Sequence, residues 1–152
     1  MEPLTKTGTG RSKMNQKLTQ KLNEAAPTVF SKDFDFETQN GWYDIILKVG
    51  LALHRMNLEN SWTDPLVASQ VKEKFGSLSF YVKPTTGDLE TAMKIIREAM
   101  RQSAKTCEYC GQPGKMRGKG WMRTLCVDCA LKDEKITLKE YEKEKLDMDQ
   151  KV

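Results

Sequence analysis

The residues of this chain whose types and spacing could do chemistry are its four cysteines. They lie in one segment, CEYCGQPGKMRGKGWMRTLCVDC, as Cys107-x-x-Cys110 and Cys126-x-x-Cys129 with fifteen residues between the pairs. Two residues between sulfurs let a tight turn aim both at one ion, and Gly111 supplies the backbone freedom such a knuckle needs. Four thiolates are the tetrahedral set that zinc takes in closed structural sites. The spacing therefore predicts one Zn2+ held by Cys107, Cys110, Cys126 and Cys129. A redox dithiol needs one pair, and two matched pairs in so short a segment argue against it.

Catalysis at such a centre is not expected. A catalytic zinc keeps a position open for water, with three protein ligands. The one histidine, His54, lies far outside the segment and reads as a surface residue on a helix flank. A nuclease using a histidine base beside a zinc knuckle would need one within the ribbon. Zinc deaminases need a ligand-x-Glu pair followed by Pro-Cys-x-x-Cys; here Glu108 directly follows Cys107 and no proline precedes either pair. Neither a Ser-His-Asp set nor a Walker loop stands elsewhere.

The loop between the knuckles holds Lys115, Arg117, Lys119 and Arg123 around Trp121. Basic groups contact phosphates and an aromatic ring stacks on bases, so these five residues are the candidate contacts to a nucleic acid or another partner. The competing reading packs Trp121 against the knuckles as core. Residues 105–132 carry six basic and two acidic side chains, the most basic stretch of the chain. A zinc ion with four thiolates adds about −2, which leaves too little positive charge for a strong DNA footprint. Residues 1–26 have five basic and two acidic groups, which suggests a basic arm or a short helix lying on the core.

Other elements must position the cysteines. Residues 1–10 are poor in apolar groups and are expected to be disordered. Met14, Leu18, Leu22 and Ala25 recur at helical spacing until Pro27. SKDFDFETQN reads as a polar loop or short extended segment. From Gly41, the residues Trp42, Ile45, Ile46, Val49, Leu53 and Met56 share one face of a helix over 41–57, with Trp42 in the core. The period then changes to two over residues 66–83, predicting a β-hairpin that turns at Phe75-Gly76-Ser77, with Lys72, Glu73 and Lys74 on its rim. Leu89, Ala92, Met93, Ile96, Ala99 and Met100 mark a helix over 88–105 that leads straight to Cys107. After Cys129, Thr137 and Glu140 form a capping box for a charged, sparsely apolar last helix, expected to be exposed and frayed.

The result is an α+β reading: a small helix and β-hairpin core with a four-cysteine zinc ribbon. Its parts are a partly helical basic arm at 1–27, the core at 28–105, the ribbon at 106–131 and a charged helix at 132–152. No apolar run suggests a membrane span or signal region, so a cytoplasmic protein is expected.

Three separated blocks, GWYDIILKVG, QVKEKFGSLSFYV and SAKTCEYCGQPGKMRGKGWMRTLCVDCA, resemble a family of small uncharacterised proteins of phages, prophages and other mobile elements. The resemblance covers roughly residues 41–130 and implies the same four cysteines as metal ligands. It suggests a non-enzymatic accessory protein in the host cytoplasm that engages a host protein or complex, for instance to inhibit a host defence. The alternatives are a nucleic-acid-binding regulator and, less favoured, a sponge for small phosphorylated ligands using Lys72, Lys74 and the loop arginines.

Overall fold

The computed structural model describes residues 13–150, so the expected disorder of residues 1–10 lies outside the described residues. The architecture is α+β, with helices α1 (Gln16–Ala25), α2 (Tyr43–Glu59), α3 (Leu89–Ser103), α4 (Val127–Lys132) and α5 (Leu138–Gln150). Strands β1 (Ala68–Lys74) and β2 (Ser77–Val82) form one antiparallel pair, and β3 (Lys115–Arg117) and β4 (Arg123–Leu125) form another.

Asn15 caps α1, its side chain accepting from the Leu18 N–H at 2.9 Å. Met14, Leu22 and Ala26 are buried in the same apolar cluster as the inner face of α2, so the described residues 13–27 pack on the core as a short helix and not as a free arm. The face of α2 read from its periodicity is the buried one, with Trp42 and Ile46 inaccessible to solvent. His54 is half-buried, its Nδ1 lying 2.7 Å from the Thr28 hydroxyl.

Of the two readings of SKDFDFETQN, loop or short extended segment, the extended one fits, and the segment is built into this core. Phe34, Phe36 and Thr38 alternate inward, and Phe30 meets Phe36 edge-on at 4.8 Å between ring centroids. Glu37 donates its N–H to the Val71 carbonyl at 2.9 Å and accepts from Glu73 N–H at 3.0 Å, extending the hairpin as a parallel bridge. The acidic residues facing solvent mask a period of two in the apolar ones.

β1 and β2 are in register from Lys74↔Ser77 outward, with a bulge between Ala68 and Gln70. The turn is two residues, Phe75 and Gly76, with φ of 53° and 82°. Both values are positive, the type I′ geometry that matches strand twist. Asp88 caps α3 through the Thr91 N–H at 3.0 Å. The Ser103 hydroxyl, at the far end of α3, accepts from Leu78 N–H at 2.8 Å and ties helix to hairpin just before the cysteine segment.

Candidate metal centre

The first knuckle leaves α3 through a backbone clasp: Cys107 N–H donates to Gln112 O at 2.7 Å and Gly111 N–H to Cys107 O at 2.9 Å. Gly111 has φ of 83°, a left-handed conformation that favours glycine. The second knuckle opens α4, where Cys126 is the N-cap and its sulfur accepts from Cys129 N–H at 3.4 Å. Between them β3 and β4 pair as Lys115↔Leu125, Met116↔Thr124 and Arg117↔Arg123. This hairpin brings together two cysteine pairs that are distant in sequence.

All four sulfurs lie within 4.8 Å of one another, and Cys110 and Cys126 are 3.6 Å apart. A tetrahedron with metal–sulfur bonds of about 2.3 Å has edges of about 3.8 Å. The cysteines are free thiols or thiolates, not disulfides. Burial pushes the Cys110 thiol up to about 12 and Cys129 higher still. Cys126 is moved down: burial opposes this, but the Cys129 N–H and the neighbouring thiols that bond to its sulfur outweigh it. Four thiolates at this spacing need a cation among them, and the donor set fits a thiophilic metal ion.

Within the first knuckle stands a residue to which sequence reasoning gave no role of its own. Glu108 is fully buried, its Oε1 2.7 Å from Arg123 Nη1 and its Oε2 accepting from the Gln39 N–H at 3.0 Å. Burial raises its carboxyl to about 7 against the pull of Arg123. Gly41 N–H donates to Glu108 O at 2.7 Å, and Trp42 Nε1 donates to Thr106 O at 2.9 Å. The start of α2 is therefore fastened to the first knuckle.

The five candidate contact residues separate. Arg123 is buried, facing Glu108 and lying 5.4 Å from the Tyr109 ring centroid. Arg117 is buried too, donating from Nε to Leu125 O at 2.9 Å and from both terminal nitrogens to Glu144, at 2.7 and 2.9 Å. Lys115 reaches the same carboxylate at 3.2 Å. These guanidinium groups hold the ribbon together, a correction to their reading as partner contacts. Trp121 is 66% exposed and Lys119 is exposed, so the tryptophan does not pack as ribbon core either. The apolar core of the ribbon is Cys107, Tyr109, Leu125, Cys126 and Ala130.

Glu144 stands on the helix expected to fray. Thr137 and Glu140 do form the capping box, each backbone N–H bonding to the other's side chain at 3.1 Å. No residue of α5 is buried, yet Tyr141 donates to Asp128 at 2.8 Å and Glu144 clamps Arg117, so the helix is docked on the ribbon. In comparisons with protein-family models, curated proteins and solved structures, nothing matches this chain. Among the described residues, no helix is long and apolar enough to cross a membrane.

Proposed function

We propose that the chain is a non-enzymatic, zinc-stabilised binding protein that engages another protein, and that it serves a phage or other mobile element by acting on a host protein or complex. The observation that carries the reading is the closed set of four cysteine sulfurs, with the neighbouring charged groups spent on internal bonds. Zinc is the favoured ion because four thiolates at tetrahedral spacing are its structural ligand set. Its bound free energy, on the order of 10–16 kcal/mol in small peptides, would hold together a ribbon with so few apolar residues.

A shell closed by four sulfurs leaves no place for an activated water, which supports a structural metal. With Arg117 and Arg123 turned inward, the loop retains little that would grip phosphates, which disfavours the nucleic-acid and phosphorylated-ligand readings. The likeness of three sequence blocks to phage and prophage proteins supports the accessory role, and host-defence inhibition is one form it takes. Its mechanism is steric: a rigid surface set by the metal covers a working face of the partner.

The test is tagged full-length protein expressed in bacteria, recovered from nuclease-treated lysate, with any co-purifying protein then purified separately and recombined. The reading expects a stoichiometric complex rebuilt from two pure proteins and indifferent to nuclease. Recovery of nucleic acid, with a complex abolished by nuclease or by moderate salt, would overturn it.

A further inference from the structure

Phe75 occupies a backbone position that its side chain disfavours. It takes the first central place of a type I′ turn, with φ of 53°, where hairpins prefer Asn, Asp or Gly. A bulky residue in left-handed backbone is a steric outlier, and such outliers concentrate where a protein meets a ligand. The ring is 75% exposed, with the Lys74 ammonium 5.7 Å from its centroid.

The second hairpin brings Trp121, 66% exposed, to the same place. The two hairpin tips are packed together. A Cβ on Gly76 would stand 3.4 Å from Met116 Cγ and 3.6 Å from Met122 Cβ, and the Thr124 hydroxyl donates to the Gly76 carbonyl at 2.5 Å. Between the tips runs a cleft of about 230 Å³ lined by Glu73, Lys74, Phe75, Gly120, Trp121 and Met122. Glu73, the acid in that lining, is turned back to accept from the Gly76 N–H at 2.8 Å. Lys74 in that lining is exposed, as is Lys119, the neighbour of Gly120 in the chain, and the Lys72 ammonium lies 5.9 Å from the Tyr81 ring centroid on the first hairpin.

We propose that this cleft is the surface through which the chain engages its protein partner, and that it takes an acidic segment bearing one or two large apolar side chains. This rests on the reading above that the partner is a protein. Two exposed aromatic rings over methionine, edged by lysines, have the composition of an interface centre with its charged rim. The lysines select an acidic segment by charge complementarity. The backbone that carries each residue is set before binding, Phe75 by the two-residue turn and Trp121 by the ribbon hairpin packed against it, which lowers the ordering cost of association. A nucleic acid fits less well, because the arginines that would clamp its phosphates are tied to Glu108 and Glu144.

The test is selection of a displayed random-peptide library on zinc-loaded full-length chain, followed by fluorescence anisotropy of the selected peptides against wild type, Phe75→Asn and Trp121→Ser. The cleft predicts acidic peptides carrying Trp, Phe or Leu, each losing about tenfold or more in affinity for either variant. It also predicts a higher thermal midpoint for Phe75→Asn, because Asn suits the turn and the ring contributes recognition in place of stability. Selected peptides indifferent to both variants, or a lowered midpoint for Phe75→Asn, would overturn the proposal. Salt-sensitive binding of oligothymidylate that needs Trp121 would reassign the cleft to nucleic acid. A host protein that binds both variants as well as wild type would overturn the cleft while leaving the protein-binding reading intact.

Discussion

The carboxylate of Glu108 and the guanidinium of Arg123 meet at 2.7 Å with both side chains out of solvent. Glu108 lies between the cysteines of the first knuckle and Arg123 three residues before the second, so the pair ties the two knuckle segments together. The other carboxylate oxygen accepts from the N–H of Gln39, a buried residue just before Gly41 and α2. Metal centre and core thus share one buried ion pair.

Removing one partner of such a pair strands a buried charge, at about 3–5 kcal/mol. Arg123→Ala should therefore lower the urea-unfolding free energy of the metal-loaded protein by that amount. Glu108→Gln combined with Arg123→Met should lose clearly less than the two single changes added together. Additive losses would mean that the two groups do not act as a unit.

Glu144 makes acid sensitivity local. The Arg117 guanidinium, aided by Lys115, holds its carboxyl at about 2, against a usual value of 4.5. A depressed carboxyl contributes stability that is complete above the unfolded value and is lost as pH falls from about 4.5 toward 2. For this partly exposed group the contribution is about 1–3 kcal/mol. Glu144→Gln should weaken the docking of α5 at neutral pH. It should also flatten the acid dependence of amide exchange in residues 138–150 relative to wild type.

Gly41 tests the coupling between core and metal from the other side. A Cβ there would lie 2.2 Å from the Cys107 carbonyl oxygen and 2.5 Å from that of Glu108, both backbone atoms. Gly41→Ala must push the first knuckle away. We expect a loss of more than about 2 kcal/mol in stability, together with weaker zinc retention in competition with a chelator.

Much of the frame was legible in the sequence because it rests on local rules. The period of α2, the switch to a period of two before Phe75, the capping box of α5 and the Cys-x-x-Cys spacing each reflect neighbours along the chain. What was not legible depends on partners far apart in sequence. Arg117 reads as a phosphate contact until Glu144, 27 residues away, folds back on it. Phe36 and Thr38 read equally as loop or as short extended chain until Glu37 pairs beside β1. One missed signal was present: Phe-Gly stands where a two-residue hairpin turn favours Asn-Gly.

Among the described residues, the buried apolar side chains form two separate clusters, one around Trp42, Phe36 and Ile46 and a smaller one around Cys107 and Leu125. Chelation should therefore act unevenly. Amide exchange should rise sharply across residues 106–131 while α2 keeps most of its protection. Uniform loss of protection would show that the core cannot stand without the ribbon.

The central claim is a metal shell closed by four thiolates. X-ray absorption at the zinc edge of the purified, zinc-loaded protein tests it most directly. The account predicts four sulfur ligands at about 2.3 Å and no lighter atom. Three sulfurs with an oxygen or nitrogen at about 2.0 Å would contradict it, because that shell would have room for water and for catalysis.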